Sequence, residues 1–405
     1  LPKSNLTSYQ NVFWVCLTES KLKGNKMALV LNEEQQFLKD AASKFFQDDA
    51  PISHFREIRD SNNELGYSKE LWTKMANLGW AGILVSEEYG GSDFGMMGMG
   101  TILEEAGKTL TPSPLFATAL LGASLLELGG NAEQKSKYLP SLVEGELTTA
   151  FALEEGTRHN PSNIETEAKK DGGDFILNGK KTFVLDGHSA NLLIVAARTA
   201  GSSSETSGIS LFCVDPNLDG VDVIKMSMLD SRNSAEISFS NVKISSDNLL
   251  GELNSGFGII EEVINKAQIG ISAEMLGNAS QAFQITLSYL KERKQFGVLI
   301  GSFQALKHRA AVMYSELELT KSSVVGAMNA IDEQSNDVTR FASMAKYKAG
   351  ETAYLVSNES VQMHGGYGVT DEYDIGFFMK RARVAEQIFG NSDYHLDRYA
   401  TLSEY

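Results

Sequence analysis

The chain has 405 residues, of which 42% are hydrophobic and 22% charged, enough for two or three domains of an ordinary globular protein. Its 36 basic and 52 acidic residues give a net charge of −16, which argues against nucleic acid or an anionic membrane as the main partner. Only Cys16 and Cys213 are present, which excludes a disulfide framework or a cysteine zinc site and favours a reducing, cytoplasmic location.

The first 26 residues differ in pattern from the rest of the chain. The helix-like period starts at Met27, which would be a sensible natural start. We therefore interpret residues 1–26 as a leader or a cloning remnant. No run of 18 apolar residues occurs in the chain, so the sequence predicts no transmembrane helix.

Residues 27–147 carry apolar side chains at spacings of three and four, which is typical of amphipathic helices. The segment "SKELWTKMANLGW" begins with Ser68, a residue suited to cap a helix N-terminus. The sequence therefore predicts an N-terminal all-α domain over residues 27–147.

The period changes near residue 148. Short β-branched or aromatic runs such as "FILNGKKTFVLDG" and "GISLFCVD" are bounded by Gly, Asn and Asp. Runs of this kind, spaced by about 8 to 12 residues, indicate the strands of a small barrel or sandwich. We assign residues 148–252 to this central β domain.

From residue 253 to the end the helical period returns, in four long amphipathic segments that predict a four-helix bundle. The last of these segments is expected to run from about Ile375 to Ile388. The fold class is therefore α+β, with an all-α domain, a β-barrel or sandwich and a second helical domain in that order.

Two segments could carry chemistry. The first, "YLKERKQFGVLIGSFQ", ends a long helix with Arg293 and Lys294, followed by Phe296 and Gln304. The macrodipole alone favours basic residues there. An arginine fork for a pyrophosphate, beside a ring-packing phenylalanine, is the functional alternative.

The second segment, "ESVQMHGGYGVTDEY", has more glycines than one helix end needs. Gly365 and Gly366 allow the backbone to approach a ligand closely, and Gln362 offers an amide. A tight turn between helices explains the same pattern. His364 invites a metal role, but the six histidines have no metal-ligand spacing, so no metal site is expected.

The order of the domains, together with "EEYGG", "LNGKKTFV", "RKQFG", "FQALKHRAA" and "QMHGGYGVTDEY", resembles the acyl-CoA dehydrogenase family over about residues 28–400. The resemblance implies FAD as cofactor, an acyl-CoA substrate, a homodimer or homotetramer, and no nucleic acid or membrane partner. It also implies FAD contacts by Arg293, Phe296, Gln304, Gln362, Gly365 and Gly366.

The family's usual base is missing. In most members a glutamate in a loop after the last long helix removes the α-proton of the thioester, and the matching position here is Gly390. A second subgroup carries its base on the helix before "RKQFG", where this chain has Ala267 and Gln268. Gly390→Glu would therefore test the alignment by gaining some dehydrogenase activity.

The strands that would face the flavin depart from the family as well. Leu185 stands where a threonine hydroxyl would meet the flavin N5 edge, and leucine cannot make that hydrogen bond. The loop before these strands reads "EEGTRHNPS" in place of the family's "TEPGAGSD". Four other carboxylates are expected near the site, and Asp393 is a weak candidate for the base: Glu262, Glu274, Glu386 and Asp393.

Several functions remain open at this point. The chain is expected to be an acyl-CoA dehydrogenase-like flavoprotein for fatty acid or steroid side-chain degradation, with a displaced base. Alternatively, it is the non-catalytic partner of a sister subunit in a hetero-oligomer, which the combined losses slightly favour. The remaining alternatives are a CoA-thioester lyase such as a desulfinase, and a flavin-free binding or scaffold protein.

Overall fold

The computed structural model describes residues 31–61 and 63–405. The interpretation of residues 1–26 as a leader lies outside the described residues. Helices occupy the described chain from Glu33 to Val143, strands follow from Thr149 to Leu250, and helices return from Phe257. The predicted α+β class and the order of its parts are therefore confirmed. None of the described helices is long and apolar enough to cross a membrane.

Six α-helices lie in the described N-terminal residues, and a polar side chain caps the start of three of them. Asn32 accepts a hydrogen bond from the backbone N–H of Gln35 at 2.8 Å, and the Gln35 side chain accepts from the N–H of Asn32 at 3.0 Å. This capping box satisfies two N–H groups that the first turn leaves free. The helices are α1 (Glu33–Asp48), α2 (Ile52–Asp60), α3 (Lys69–Asn77), α4 (Met96–Thr109), α5 (Ala123–Gly129) and α6 (Ala132–Val143).

A π-helical segment, Leu115–Gly122, leads directly into α5, and all eight of its residues are buried. Its sequence, "LFATALLG", is apolar on every side, as expected of a segment enclosed by other elements. Helices with such irregular hydrogen bonding are often found at functional sites. Two of its residues, Leu115 and Phe116, line a cavity between the helical and β parts of the chain.

Ten strands are present in the described residues, and eight of them form one sheet. The order is β6-β7-β3-β2-β4-β5-β8, and β1 pairs with β4 in parallel. The register between β3 and β7 shifts between Lys181 and Val184, and such a bulge re-aims the end of a strand. The strands are β1 (Thr149–Ala152), β2 (Glu167–Asp171), β3 (Asp174–Leu185), β4 (Leu192–Arg198), β5 (Ile209–Val214), β6 (Val221–Lys225), β7 (Ser234–Ile244), β8 (Leu249–Leu250), β9 (Lys294–Gln295) and β10 (Val298–Leu299).

The C-terminal part consists of five helices: α7 (Phe257–Glu292), α8 (Gln304–Asp332), α9 (Val338–His364), α10 (Ile375–Gln387) and α11 (Ser392–Leu402). Helix α9 packs against the other four. The expected end of α10 at Ile388 is one residue late. Helix α11 was not expected, because it is short and has a mostly polar sequence, and only Asn391 signals its start as a capping residue.

Close backbone contact joins the first helical part to the second. A side chain at Gly277 of α7 would place its Cβ 1.8 Å from the carbonyl oxygen of Glu104 in α4. A side chain at Gly107 of α4 would lie 2.3 Å from the carbonyl oxygen of Glu274. Only glycine allows the two helices to approach this closely. Helix α7 is thereby fixed against α4 at the level of Glu274.

Candidate functional site

The segment "YLKERKQFGVLIGSFQ", predicted from the sequence to contact a pyrophosphate, ends α7 and then forms a small hairpin, β9–β10. Phe296 lies at its tip in a left-handed conformation (φ 54°), and its side chain is 91% exposed. The rings of Phe296 and Phe303 lie 6.3 Å apart, so together they present an exposed apolar pair. Gln304, the first residue of α8, is also exposed. Because the Phe296 ring is almost fully exposed, it can pack against a ligand or another protein chain.

The glycine-rich segment "ESVQMHGGYGVTDEY" lies beside this hairpin. The guanidinium of Arg293 lies 5.4 Å from the centre of the Tyr367 ring, which is a cation–π contact. Gly365 adopts a left-handed φ of 61°. A Cβ on Gly365 or Gly366 would have no atom within 4 Å, so both glycines border open space. The fold therefore brings Arg293 and the glycine segment to one exposed surface, on which Gln362 is also exposed.

His364 has a structural environment. Its Nδ1 lies 2.7 Å from the carbonyl oxygen of Ser360, and its ring stacks on Tyr289 with the centres 4.3 Å apart. Burial lowers the pKa of His364, so the ring is neutral near pH 7. Among the described residues, no group of histidine, cysteine or acidic side chains could hold a metal ion.

Within the segment "QIFGNSDYH", residues 388–391 form the turn between α10 and α11, and Phe389 and Gly390 are buried. Phe389 and Gly390 both have positive φ angles, 56° and 100°. The Asn391 side chain then accepts a hydrogen bond from the N–H of Tyr394 at 3.0 Å and so caps α11. The Gly-Asn pair thus ends one helix and starts the next.

Three side chains from three helices hold the carbonyl groups of this turn. Gln268 of α7 donates its Nε2 to the oxygen of Phe389 at 3.1 Å. The Nε2 of His395, in α11, lies 3.0 Å from the same oxygen. Lys346 of α9 donates to the oxygen of Gly390 at 2.8 Å and to that of Glu386 at 2.7 Å. The backbone of the turn is therefore fixed by contacts that do not depend on its own side chains.

The pKa values of two of these donors, Lys346 and His395, lie well below their ordinary values. Burial lowers the pKa of Lys346 to about 7, although the charge of Glu386 opposes the shift. Burial also lowers the pKa of His395 to about 2, with a further contribution from the nearby charge of Lys346. His395 is therefore neutral, and its Nε2 is the protonated nitrogen that faces the Phe389 oxygen.

The structure leaves little room for a side chain at Gly390, where Gly390→Glu is expected to gain activity. A Cβ at Gly390 would lie 2.4 Å from Cδ1 of Tyr394 and 2.9 Å from Nε2 of His395. The φ of 100° is also one that side-chain-bearing residues rarely adopt. The substitution would disrupt the turn before it could supply a base. At the alternative position, Ala267 is fully buried.

The other candidate carboxylates do not lie free beside the turn. Asp393 is exposed in the first turn of α11, and Glu262 is exposed on α7. The Glu386 carboxylate accepts a hydrogen bond from the N–H of Ser392 at 2.8 Å and another from the Gln387 side chain. The Glu386 carboxylate therefore holds the turn in place through these two hydrogen bonds.

Glu274 belongs to a buried cluster of four charged residues. Its Oε1 contacts Nη2 of Arg232 and lies 3.1 Å from Nη1 of Arg381. The Nε of Arg381 lies 2.7 Å from Oδ2 of Asp230. Burial would raise the pKa of Glu274, but the two guanidinium groups hold it below its ordinary value. This carboxylate is therefore ionised and paired, which does not suit a base.

A cavity lies between this cluster, the end of β3 and the π-helical segment. Leu185 and Asp186 contribute from β3 and the turn after it. Burial raises the pKa of Asp186 to about 7, against the effects of a hydrogen bond from Asn233 and the charge of Arg232. The lining residues are Leu103, Ala106, Thr111, Pro112, Ser113, Leu115, Phe116, Leu185, Asp186, Arg232, Asn233, Glu274 and Arg381. The lining of the cavity therefore combines apolar side chains with charged and polar ones.

The loop of residues 154–162 reaches the turn from the β domain, a contact that sequence reasoning missed. The His159 ring lies edge-on to Phe389 and Tyr394, with centres 6.2 and 5.0 Å apart. Its Nδ1 lies 2.5 Å from Oε1 of Glu154. Glu154 and His159 lie in the loop "EEGTRHNPS", which departs from the family pattern. That departure was the one feature of the sequence that could have drawn attention to this contact.

Known protein families match most of the chain. The profile described as "Acyl-CoA dehydrogenase, N-terminal domain" matches residues 32–146. The profile of the middle domain matches residues 150–242, and that of the C-terminal domain matches residues 254–401. Together these three matches span well over half of the sequence.

Individual proteins show the same similarity. A 3-(aryl)acrylate reductase of Clostridium sporogenes is 34% identical over 373 residues, 90% of this chain and 97% of the relative. The caffeyl-CoA reductase-Etf complex subunit CarC of Acetobacterium woodii is 31% identical over 364 residues, 88% of this chain and 94% of the relative. The crystallised butyryl-CoA dehydrogenase of Megasphaera elsdenii superposes with a TM-score of 0.85 at 29% identity, over 95% of this chain and 100% of the other.

Proposed function

Because this chain belongs to the acyl-CoA dehydrogenase family, whose members are flavin-dependent oxidoreductases, we propose that it binds FAD and acts on the Cα–Cβ bond of a CoA thioester. A bound flavin supplies hydride transfer at the β-carbon. The protein's own task is then to hold the thioester and to move a proton at the α-carbon. The relatives from Clostridium sporogenes and Acetobacterium woodii both carry the word "reductase" in their names, and reduction is the direction that saturates this bond.

The single observation that best supports FAD binding is the contact between Arg293 and Tyr367. It joins a guanidinium, which can pair with a pyrophosphate, to glycines that leave room for a ligand. An exposed phenylalanine beside them can pack on a ring. The residues proposed to contact the FAD are Arg293, Phe296, Gln304, Gln362, Gly365 and Gly366.

At the flavin ring the fit is incomplete. Leu185 is 8% exposed and lines the cavity, so it offers an apolar contact and no hydroxyl donor. The acyl group of the substrate would enter this cavity, between Leu103 and Phe116 on one side and the polar cluster on the other. An acyl chain can bury its apolar part against these residues.

Purified protein should carry FAD that is released on denaturation. Arg293→Gln should lower the FAD content at least several-fold because it removes the pyrophosphate contact, whereas Lys291→Gln, at an exposed position of the preceding helix, should not. Saturated acyl-CoAs should bleach the flavin, and α,β-unsaturated ones should reoxidise it after reduction. A colourless protein that gains no FAD on incubation would refute the proposal.

A second candidate is the non-catalytic partner subunit of a hetero-oligomer. It is favoured by the absence of a carboxylate at Gly390 and Ala267, and by the Tyr394 ring that fills the space beside Gly390. In this case the isolated chain would bind FAD but no acyl-CoA would bleach it. Activity would appear only on co-expression with a sister subunit.

Assembly with another chain, either a homodimer, a homotetramer or a mixed oligomer, is part of the same proposal. The exposed rings of Phe296 and Phe303 are the kind of apolar surface that a neighbouring subunit covers. Sedimentation of the purified protein would distinguish these states from a monomer. Phe296→Ser should weaken both assembly and FAD retention while the stability of the single fold changes little, because this ring is almost fully exposed.

A further inference from the structure

Two carboxyl groups with different partners line the cavity. The Glu274 carboxylate is paired with the guanidinium groups of Arg232 and Arg381. The Asp186 carboxyl accepts a hydrogen bond from the side-chain amide of Asn233, and among the described residues no arginine or lysine forms an ion pair with it. A carboxyl group offers about four acceptor positions, so that of Asp186 keeps capacity for a ligand in the cavity.

The backbone of Asp186 is fixed by the turn that follows β3. Its N–H donates to the carbonyl oxygen of Asn233 at 3.2 Å. Its own carbonyl oxygen accepts from the N–H of Ser189 at 3.0 Å and from the hydroxyl of Ser189 at 3.2 Å. The left-handed φ of 54° is uncommon but tolerated by aspartate, and such conformations cluster at ligand sites. The turn therefore fixes the place from which the carboxyl reaches the cavity.

The other charges around the cavity cancel without Asp186. Arg232 and Arg381 carry two positive charges, and Asp230 and Glu274 carry two negative ones. Burial raises the pKa of Asp186 to about 7, so near neutral pH its carboxyl exists both with and without its proton. Both forms can bind a hydroxyl group, because the acid donates to the hydroxyl oxygen and the carboxylate accepts the hydroxyl hydrogen.

Charged ligand groups suit this cavity less well than neutral ones. A ligand carboxylate would meet the negative charge of Glu274, while the guanidinium groups of Arg232 and Arg381 are already paired. A ligand ammonium at Asp186 would be repelled by Arg232, whose charge acts on the same carboxyl. Burying a charge without a free partner is costly. A neutral hydroxyl avoids both repulsions and still gives the carboxyl a partner.

The rest of the lining suits a carbon chain. Apolar side chains of the two helical segments and of β3 provide this surface: Leu103, Ala106, Leu115, Phe116 and Leu185. Ligand pockets commonly combine such an apolar lining with a small number of placed polar groups that set specificity. The carboxyl of Asp186 is a group of this kind, since it lines the cavity beside Leu185 and is not held by an ion pair in the described part of the chain.

Resting on the proposed function, in which the acyl group enters this cavity, we propose that the cavity selects acyl groups that carry a neutral hydroxyl, and that Asp186 binds this hydroxyl. Asp186 determines specificity and takes no part in breaking or forming a covalent bond. An acyl group without the hydroxyl would leave the carboxyl without its ligand partner, which is how sites built around a polar group reject apolar analogues.

Matched pairs of CoA thioesters test the proposal. 6-Hydroxyhexanoyl-CoA is compared with heptanoyl-CoA, and 8-hydroxyoctanoyl-CoA with nonanoyl-CoA, so that a methyl replaces the hydroxyl in each pair. Equilibrium dialysis at pH 7 measures the dissociation constants on the FAD-loaded protein, kept reduced and anaerobic so that no thioester is oxidised. In at least one pair we expect the hydroxyl ligand to bind about 10- to 100-fold more tightly. 6-Aminohexanoyl-CoA and adipoyl-CoA should bind more weakly than the preferred hydroxyl ligand.

Variants of Asp186 assign the preference to its carboxyl. Asp186→Gly removes the side chain at a φ that glycine adopts freely, and should reduce the preference to about 3-fold or less while the methyl ligands still bind. Asp186→Asn keeps an amide that can pair with a hydroxyl, so its preference should lie between those of the wild type and the glycine variant. Asp93→Gly is the matched control, because Asp93 is exposed and has a φ of 44°; it should keep the wild-type preference.

The outcomes separate this inference from the proposed function. Equal or tighter binding of the methyl ligand in both pairs, tightest binding of a charged ligand, or binding of other acyl-CoAs but of neither hydroxyl ligand would overturn the inference and leave the proposed function intact. Full preference in Asp186→Gly would do the same, and so would full preference in Asp186→Asn if the glycine variant did not fold. Failure of the FAD-loaded protein to bind any acyl-CoA would overturn both.

Discussion

The side-chain amide of Gln268 lies 3.1 Å from the carbonyl oxygen of Phe389. These residues adjoin Ala267 on α7 and Gly390 in the turn, the two positions at which the sequence resemblance predicts a base. The two positions therefore belong to one site, and in this chain they are joined by an amide–carbonyl hydrogen bond without a carboxylate.

Replacing Gln268 should weaken the turn. Gln268→Met keeps the length of the side chain but removes the donor to Phe389 and the acceptor that Arg398 uses at 3.0 Å. We expect the free energy of unfolding to fall by about 2 kcal/mol, because buried polar partners are left unsatisfied. Gln284→Met, at an exposed position of the same helix, should change it by less than about 0.5 kcal/mol. Urea denaturation measures both, and equal losses would contradict the role of this hydrogen bond.

A side chain at Gly390 should destabilise the protein. Gly390→Ala places a Cβ 2.4 Å from Tyr394 in a backbone conformation that already disfavours alanine. The two effects together should cost about 3 kcal/mol. Gly297→Ala is the control, since Gly297 has a φ of 80° but no atom within 4 Å of the added carbon. It should cost only about 1–2 kcal/mol of backbone strain. A thermal shift in Gly390→Ala no larger than that of the control would refute the steric argument.

Lys346 should make stability depend on pH in a defined direction. Its pKa is about 7 in the folded protein and near 10.5 when unfolded, so between these values the unfolded chain binds more protons. Stability from this group therefore increases as the pH rises from about 7 to 10, by up to about 1.4 kcal/mol per pH unit. Lys346→Met should remove this slope, whereas substitution of the exposed Lys321 should not. Denaturation at pH 7, 8 and 9 measures the difference, and parallel curves for Lys346→Met and the wild type would contradict it.

Asp186 should make the stability of the protein depend on pH in the opposite direction, so that its contribution falls as the pH rises. Burial raises its pKa from 3.8 to about 7, so the folded protein binds the proton more tightly. Its contribution to stability is complete below about pH 4 and is lost as the pH rises to about 7. Asp186→Asn should therefore gain stability relative to wild type as the pH increases from 4 to 8. The φ of 54° suits asparagine.

Asp93→Asn is the matched control for Asp186, because Asp93 has a similar φ of 44° but is exposed. It should show no such gain across the same pH series. If Asp186→Asn and Asp93→Asn responded alike, the carboxyl of Asp186 would not be the titrating group.

Sequence periodicity predicts the helices and strands well where the patterns are long. The 36-residue helix α7 and the change to strands at Thr149 follow from it. Helix α11 was missed because its apolar positions are few. The polar side chains at the turn could not be predicted, since Lys346 and His159 reach it from distant parts of the chain. Only the packing of α9 and of the loop 154–162 brings them there.

Some of the site residues could likewise be predicted from the sequence, and others only from the packing. Arg293 and Gly365 lie in local motifs, and their position beside open space is visible in the structure, while their role toward FAD stays a prediction. The activity expected from Gly390→Glu stays a prediction, and the sequence does not reveal that Tyr394 fills the space beside Gly390.

The donors on three helices that hold the Phe389 and Gly390 carbonyls have a consequence for how such a protein can change over time. Gln268, Lys346 and His395 bind backbone atoms, which every amino acid shares. A substitution in the turn that fits the space left by Tyr394 therefore keeps these backbone contacts. Gly390 is the exception, because a Cβ there would meet Tyr394 and His395.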